Sequence, residues 1–134
     1  MRTHISIEDV QGTFVRQVEE ISGENPMICN QCGKCSGGCP VVAEMDLLPS
    51  QVIRMVQLGL DEVLGSNTIW ICASCLTCVT RCPKGVDLPR LMEALRQIAL
   101  RQGVAKLDLS TLPPELAREI PQLAVVGAFR KYLL

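Results

Sequence analysis

The sequence predicts an all-α domain in which two cysteine-rich loops are set between helices. Three observations carry this expectation. Apolar residues recur at helical spacing on both sides of each cysteine run, strand signals are nearly absent, and the cysteines repeat with one fixed offset. At 134 residues the chain suits one domain with an additional terminal segment and leaves no room for a separate catalytic domain. It is 48% hydrophobic but only 3% aromatic, so its core is either aliphatic and thin or partly filled by something inorganic.

The elements follow in order. Ser6-Ile7-Glu8-Asp9 reads as a capped start, and Ile7, Val10, Phe14, Val18 and Ile21 lie three or four apart, predicting one amphipathic helix that ends near Gly23. Pro49 sits where a first-turn proline belongs, and Val52, Ile53, Val56 and Leu58 follow it before Gly59 stops the helix. A short helical turn is expected from Asp61 to Leu64. The longest helix should run from Leu88 to Gln102, because Leu88, Leu91, Met92, Leu95, Ile98 and Ala99 make one apolar face and Gly103 supplies the exit. Residues 1–103 are therefore expected to form the domain and residues 104–134 a C-terminal docking segment. Leu112-Pro113-Pro114 and Pro121 break that segment into short pieces, and Leu123, Val125, Val126, Phe129 and Leu133 form an apolar tail punctuated by Arg130 and Lys131. The competing reading of the tail is a helix packed back on the domain.

The eight cysteines form two copies of C-x2-C-x2-C-x3-C-P. Cys29, Cys32, Cys35 and Cys39 map onto Cys72, Cys75, Cys78 and Cys82, every pair 43 positions apart as 72 is from 29, and none is left over. Pro40 and Pro83 close the runs. Each is followed by a similar helix entry, Asp46-Leu47-Leu48-Pro49 and Asp87-Leu88-Pro89. Three cysteines at i, i+3 and i+6 wrap a short loop so that three thiolates converge on one iron–sulfur cubane, while the fourth, followed by proline, points away. In two-cluster proteins with this spacing the fourth cysteine ligates the other cluster. The expectation is two [4Fe–4S] clusters, one held by Cys29, Cys32, Cys35 and Cys82, the other by Cys72, Cys75, Cys78 and Cys39.

Other chemistries fit less well. Structural zinc takes four ligands as two separated pairs and has no use for a third cysteine at i+6. A disulfide framework belongs to an oxidising compartment. The start of the chain, with no apolar stretch behind a basic opening, predicts no secretory signal, and no segment reaches the roughly 20 apolar residues of a membrane span, so a cytoplasmic setting is expected. A net charge of −1 and a pI near 5.8 argue against a broad surface for nucleic acid or anionic lipid. No nucleophile–base pair, phosphate-cradling loop or flavin fingerprint is visible, so no catalytic residue is assigned. Gly33, Gly37 and Gly38 are expected to let the backbone approach the first cluster. The bulkier second loop, with Ala73, Ser74, Leu76, Thr77, Val79 and Thr80, is expected to leave its cluster drier and lower in potential unless hydrogen bonds reverse the order. Trp70 reads as a packing wall over a cluster. Lys34 and Arg81 read either as solvated charges or as steering groups for an acidic partner, and His4 is not a ligand.

Two folds carry such runs, a pseudo-symmetric βαβ ferredoxin and an α-helical ferredoxin-like arrangement. The helical pattern between Cys39 and Cys72 selects the second. The stretches Ile28-Cys29-Asn30-Gln31-Cys32-Gly33-Lys34-Cys35-Ser36-Gly37-Gly38-Cys39-Pro40 and Ile69-Trp70-Ile71-Cys72-Ala73-Ser74-Cys75-Leu76-Thr77-Cys78-Val79-Thr80-Arg81-Cys82-Pro83-Lys84-Gly85-Val86-Asp87 resemble the two-cluster iron–sulfur component of heterodisulfide reductase. The resemblance spans Phe14 to Gln102, and all eight ligand positions match. It implies an all-helical two-cluster protein that relays electrons between a flavin-containing component and a cysteine-rich, thiol–disulfide catalytic component of a soluble assembly. The alternative is the iron–sulfur protein of a membrane-associated dehydrogenase, of glycerol-3-phosphate or succinate type, passing electrons to quinone. A zinc-stabilised interaction module is the third reading.

Overall fold

A computed structural model of the chain describes residues 6–10, 12–103 and 113–132. Among these, helices and turns make up all the regular structure, and no strand occurs. The chain divides into two compact units, Met1–Arg96 and Gln97–Leu134.

In the first unit, Ser6 and Asp9 cap α1 (Ile7–Val10) reciprocally: Asp9 N donates to Ser6 Oγ and Ser6 N to Asp9 Oδ2, both at 3.1 Å. The single N-terminal helix expected up to Gly23 is instead two. Gly12 is extended (φ −69°, ψ 172°) and starts α2 (Thr13–Ser22) in a new register. The buried stripe is consequently Val15, Val18 and Ser22, while Phe14 and Ile21 are not fully buried and Ile7 is 80% exposed. A 3-10 turn, Pro26–Ile28, then leads into the first cysteine run, with Met27 N donating to Asn25 Oδ1 at 2.8 Å.

Helix α3 (Lys34–Gly37) lies inside that run. Helix α4 (Pro49–Gln57) opens with Pro49 as its first residue, and Gln51 Oε1 accepts from Leu48 N at 2.8 Å. It buries Val52, Ile53, Val56 and Gln57. The expected turn after it is a 3-10 helix, Asp61–Gly65, that buries Val63 and Leu64. Two short helices flank the second run, α5 (Thr68–Ile71) before it and α6 (Thr77–Arg81) within it. Helix α7 (Leu88–Arg101) begins on Asp87, whose Oδ1 accepts from Arg90 N at 3.2 Å. Its expected apolar face is buried at every named position: Leu88, Leu91, Met92, Leu95, Ile98 and Ala99.

Helix α4 is the hub of this unit, packing on α2, α3 and the turns at Pro26–Ile28 and Asp61–Gly65, and α3 packs on α6, which brings the two cysteine runs side by side. No aromatic side chain is among the buried core residues described. The second unit carries the end of α7, then α8 (Pro114–Glu119) and α9 (Gln122–Tyr132), interrupted at Pro121. Leu116, Leu123 and Val126 are exposed there. His4, Leu112 and Leu133 lie outside the described residues, as do the side chains of Phe129, Arg130 and Lys131.

Candidate metal centres

The two cysteine runs share one backbone trace. Gln31 and Ser74, each two residues after the first cysteine, have φ of 58° and 53°, and Gly33 and Leu76, two further on, have 77° and 63°. Each loop thus turns through the left-handed region twice, which costs an L-residue about 1–2 kcal/mol. Such turns draw successive N–H groups to the inside of the loop, where an anion or cluster sulfur can accept them. Only Gly33 advertises this in the sequence; Gln31, Ser74 and Leu76 carry no signal of it.

Each loop borders a cavity. The first, about 400 Å³ of space that includes open solvent, is lined by Cys29, Cys32, Cys35, Cys78 and Cys82, with Ser50, Ile53, Val86 and Leu88 among the other walls. The second, about 370 Å³ counted the same way, is lined by Cys35, Cys39, Cys72, Cys75 and Cys78, with Pro49, Leu88 and Met92 among the other walls. Three cysteines of each run therefore share a cavity with the third and fourth cysteines of the other. Cys35 and Cys78 line both cavities, so the two sites adjoin. Among the described residues no three His, Cys, Asp or Glu side chains draw together around a single ion. Thiols spread around a shared cavity, with no point on which four of them converge, suit a cubane, whereas zinc needs four donors within about 2.3 Å of one point.

The thiols differ in what ionisation costs them before iron arrives. Burial, reinforced by the neighbouring Cys72 and Cys35, pushes the Cys78 thiol up to about 11. Burial raises Cys35 as well, against the pull of the Ser36 hydroxyl and N–H. Cys75 is lowered by the Thr77 hydroxyl and N–H; Cys75 Sγ and Thr77 Oγ1 are 3.3 Å apart, and the hydroxyl donates once the thiol is ionised. Iron at the two inner cysteines must supply the charge compensation that their surroundings withhold. Further donors reach sulfur from Gln31 N to Cys29 Sγ (3.5 Å) and from Val86 N to Cys82 Sγ (3.3 Å).

Behind each loop stands a buried polar side chain that sequence periodicity does not single out. Gln57 Nε2 donates to Pro26 O and Cys29 O, both at 2.9 Å. Arg96 donates from Nε to Ile69 O and from Nη2 to Cys72 O at 2.7 Å, and pairs with Glu93. Both interrupt an otherwise apolar helix face, the one trace they leave in the sequence.

Three expectations change. The second loop is not the drier one: Ala73, Ser74, Cys75 and Leu76 are all exposed, Leu76 by 53%. Trp70 is half-buried on α5 and lines neither cavity. Gly38 makes room for a side chain, since a Cβ there would lie 2.5 Å from Arg81 Nη1. Lys34, Gly37 and Arg81 line a shallow, open depression between α3 and α6.

The 4Fe-4S dicluster domain family matches residues 27–86, a span that holds all eight cysteines. The chain is 38% identical over 107 residues to a CoB–CoM heterodisulfide reductase iron–sulfur subunit of Methanocaldococcus jannaschii, in an alignment covering 74% of this chain and 58% of that protein. It is 36% identical over 110 residues to the corresponding iron–sulfur subunit of Methanopyrus kandleri (75% and 57%). Against the corresponding subunit of the ferredoxin:CoB–CoM heterodisulfide reductase of Methanosarcina mazei the identity is 30% over 108 residues (78% and 67%). The chain thus spans a little over half the length of the first two relatives. It is an iron–sulfur protein with two [4Fe–4S] clusters.

Proposed function

Since this chain belongs to the family of heterodisulfide reductase two-cluster iron–sulfur subunits, we propose that it relays electrons between a flavin-containing component and a cysteine-rich, thiol–disulfide catalytic component of such a complex. The single observation that supports a relay most is the adjacency of the two cysteine cavities through Cys35 and Cys78. When bound, each cluster supplies one-electron chemistry. The chain's own residues supply the ligands, the spacing and the surroundings.

In this reading Cys29, Cys32, Cys35 and Cys82 hold one cluster and Cys72, Cys75, Cys78 and Cys39 the other. Ile53, Val86, Leu88 and Met92 give the cavities aliphatic walls that keep bulk water from the inner sulfurs. The solvent-exposed Cys32 and Cys75 mark the edges where an electron partner approaches most closely. Residues 104–134 serve as the arm that docks on a partner protein, with Leu116, Leu123 and Val126 as its exposed apolar contacts.

Purification of the native chain tests the relay. It should travel with a soluble flavoprotein and a second cysteine-rich protein. Co-fractionation with membrane and a quinone-reducing dehydrogenase would establish the alternative instead.

A further inference from the structure

The two halves of the chain hold the entrance to their cysteine runs in the same way with two different side chains. In the first half Gln57, on α4, donates to the carbonyls of Pro26 and Cys29. In the second half Arg96, on α7, donates to the carbonyls of Ile69 and Cys72. Ile69 and Cys72 are the positions of Pro26 and Cys29 after the 43-residue shift, as 69 is from 26. The corresponding two carbonyls, that of the first ligand of each run and that of the residue three before it, are therefore clamped in both halves. Both clamps are buried, Gln57 at 7% and Arg96 at 2% exposure.

The difference is where the charge lies: Gln57 Oε1 accepts from the exposed Arg54 at 3.4 Å, whereas in the second half the clamp is itself the cation and is buried. A neutral amide does the mechanical work in the first half, so the guanidinium in the second is not required for it. A buried cation is also costly unless further negative charge lies near it. Arg96 has an ion-pair partner in Glu93, Oε2 at 2.8 Å from Nη1, whose side chain is 39% exposed. Water screens that carboxylate only in part, so it offsets some but not all of the charge that Arg96 presents through protein of low dielectric. A negatively charged iron–sulfur centre against Cys72 supplies further counter-charge.

We propose that Arg96 is a positioning residue that also orders the two potentials, making the cluster of Cys72, Cys75 and Cys78 the easier one to reduce and so the one on which an electron rests. Gaining an electron adds negative charge, which a buried cation favours and a neutral amide does not. The exposure of the second loop acts in the same direction. The inference rests on the two-cluster reading, which iron analysis checks separately.

The test is an EPR-monitored redox titration of the full chain, isolated anaerobically with both clusters. A Cys75→Ser variant identifies the signal of the second-loop cluster. Arg96→Gln copies the amide of the first half; it should lower the midpoint of that signal and leave the other unmoved at wild-type iron content. Arg96→Lys keeps the charge and should hold the midpoint near wild type while thermal stability falls. Glu93→Gln removes the screening carboxylate and should raise the same midpoint. Equal midpoints in wild type and Arg96→Gln, or an equal fall in Arg96→Lys and Arg96→Gln, overturn the proposal. Should Arg96→Gln fail to hold iron, Glu93→Gln decides: a rise confined to the second-loop signal sustains the proposal, and no change refutes it. A wild-type chain without iron would refute the two-cluster reading itself.

Discussion

Cys39 and Cys82 each end one run and line the cavity of the other, although neither lies within its own run's cavity. Replacing Cys82 by Ser should therefore damage the cluster of Cys29, Cys32 and Cys35, and replacing Cys39 the cluster of Cys72, Cys75 and Cys78. EPR of each variant reports which signal is lost; loss restricted to the same-run cluster would refute the crossed assignment. At this scale the sequence is legible where chemistry dictates residue type and silent where only the backbone matters. Cysteine spacing names all eight thiols, yet Gln31, Ser74 and Leu76 occupy left-handed backbone positions that no residue type announces. Gln57 and Arg96 look like ordinary polar helix residues until their carbonyl partners are known.

Among the elements, α4 and α7 are readable because nine and fourteen residues hold several helical periods. Helices α3, α5 and α6, of four or five residues, are too short to show a period and owe their form to the loops they join. The two Asp-Leu-Pro-like entries look alike and differ in use. Asp87 caps its own helix, whereas Asp46 reaches across the chain to the start of α5. Its carboxylate accepts from Asn67 N and Thr68 N at 2.8 Å, from Thr68 Oγ1 at 2.6 Å and from Leu47 N at 3.0 Å. Desolvation pushes its pKa up, but these bonds, Thr68 first, outweigh it and hold the group at about 2. Asp46→Ala should lower stability by about 1–2 kcal/mol, measured as an earlier denaturant midpoint at neutral pH. A carboxylate held below its unfolded value of roughly 4 stabilises the fold fully above that pH and loses the effect as pH falls towards 2. In acid-jump experiments the wild type's slower bleaching relative to Asp46→Ala should accordingly fade across that interval, and a difference that persists at pH 2 would count against this role.

For the molecule as a whole, the described core holds no aromatic side chain, and it borders the cysteine cavities. Several walls of that core, Ile53, Val86, Leu88 and Met92, are also walls of the cavities. Stripping the iron should leave the chain largely unfolded, with the far-UV helical signal falling by more than half and returning on anaerobic reconstitution. An apo chain of undiminished helicity would show that the aliphatic core suffices alone. Among the described residues no helix is long and apolar enough to cross a membrane. The 43-residue repeat makes the two cysteine runs readable, while their lying side by side rests on α3 meeting α6, a contact remote in sequence. That interleaving bears on biosynthesis. The first cavity takes Cys78, Cys82, Val86 and Leu88 from the second half, and under the proposed crossed ligation neither site would be complete in a nascent first half, so cofactor delivery is expected to wait until both halves are translated.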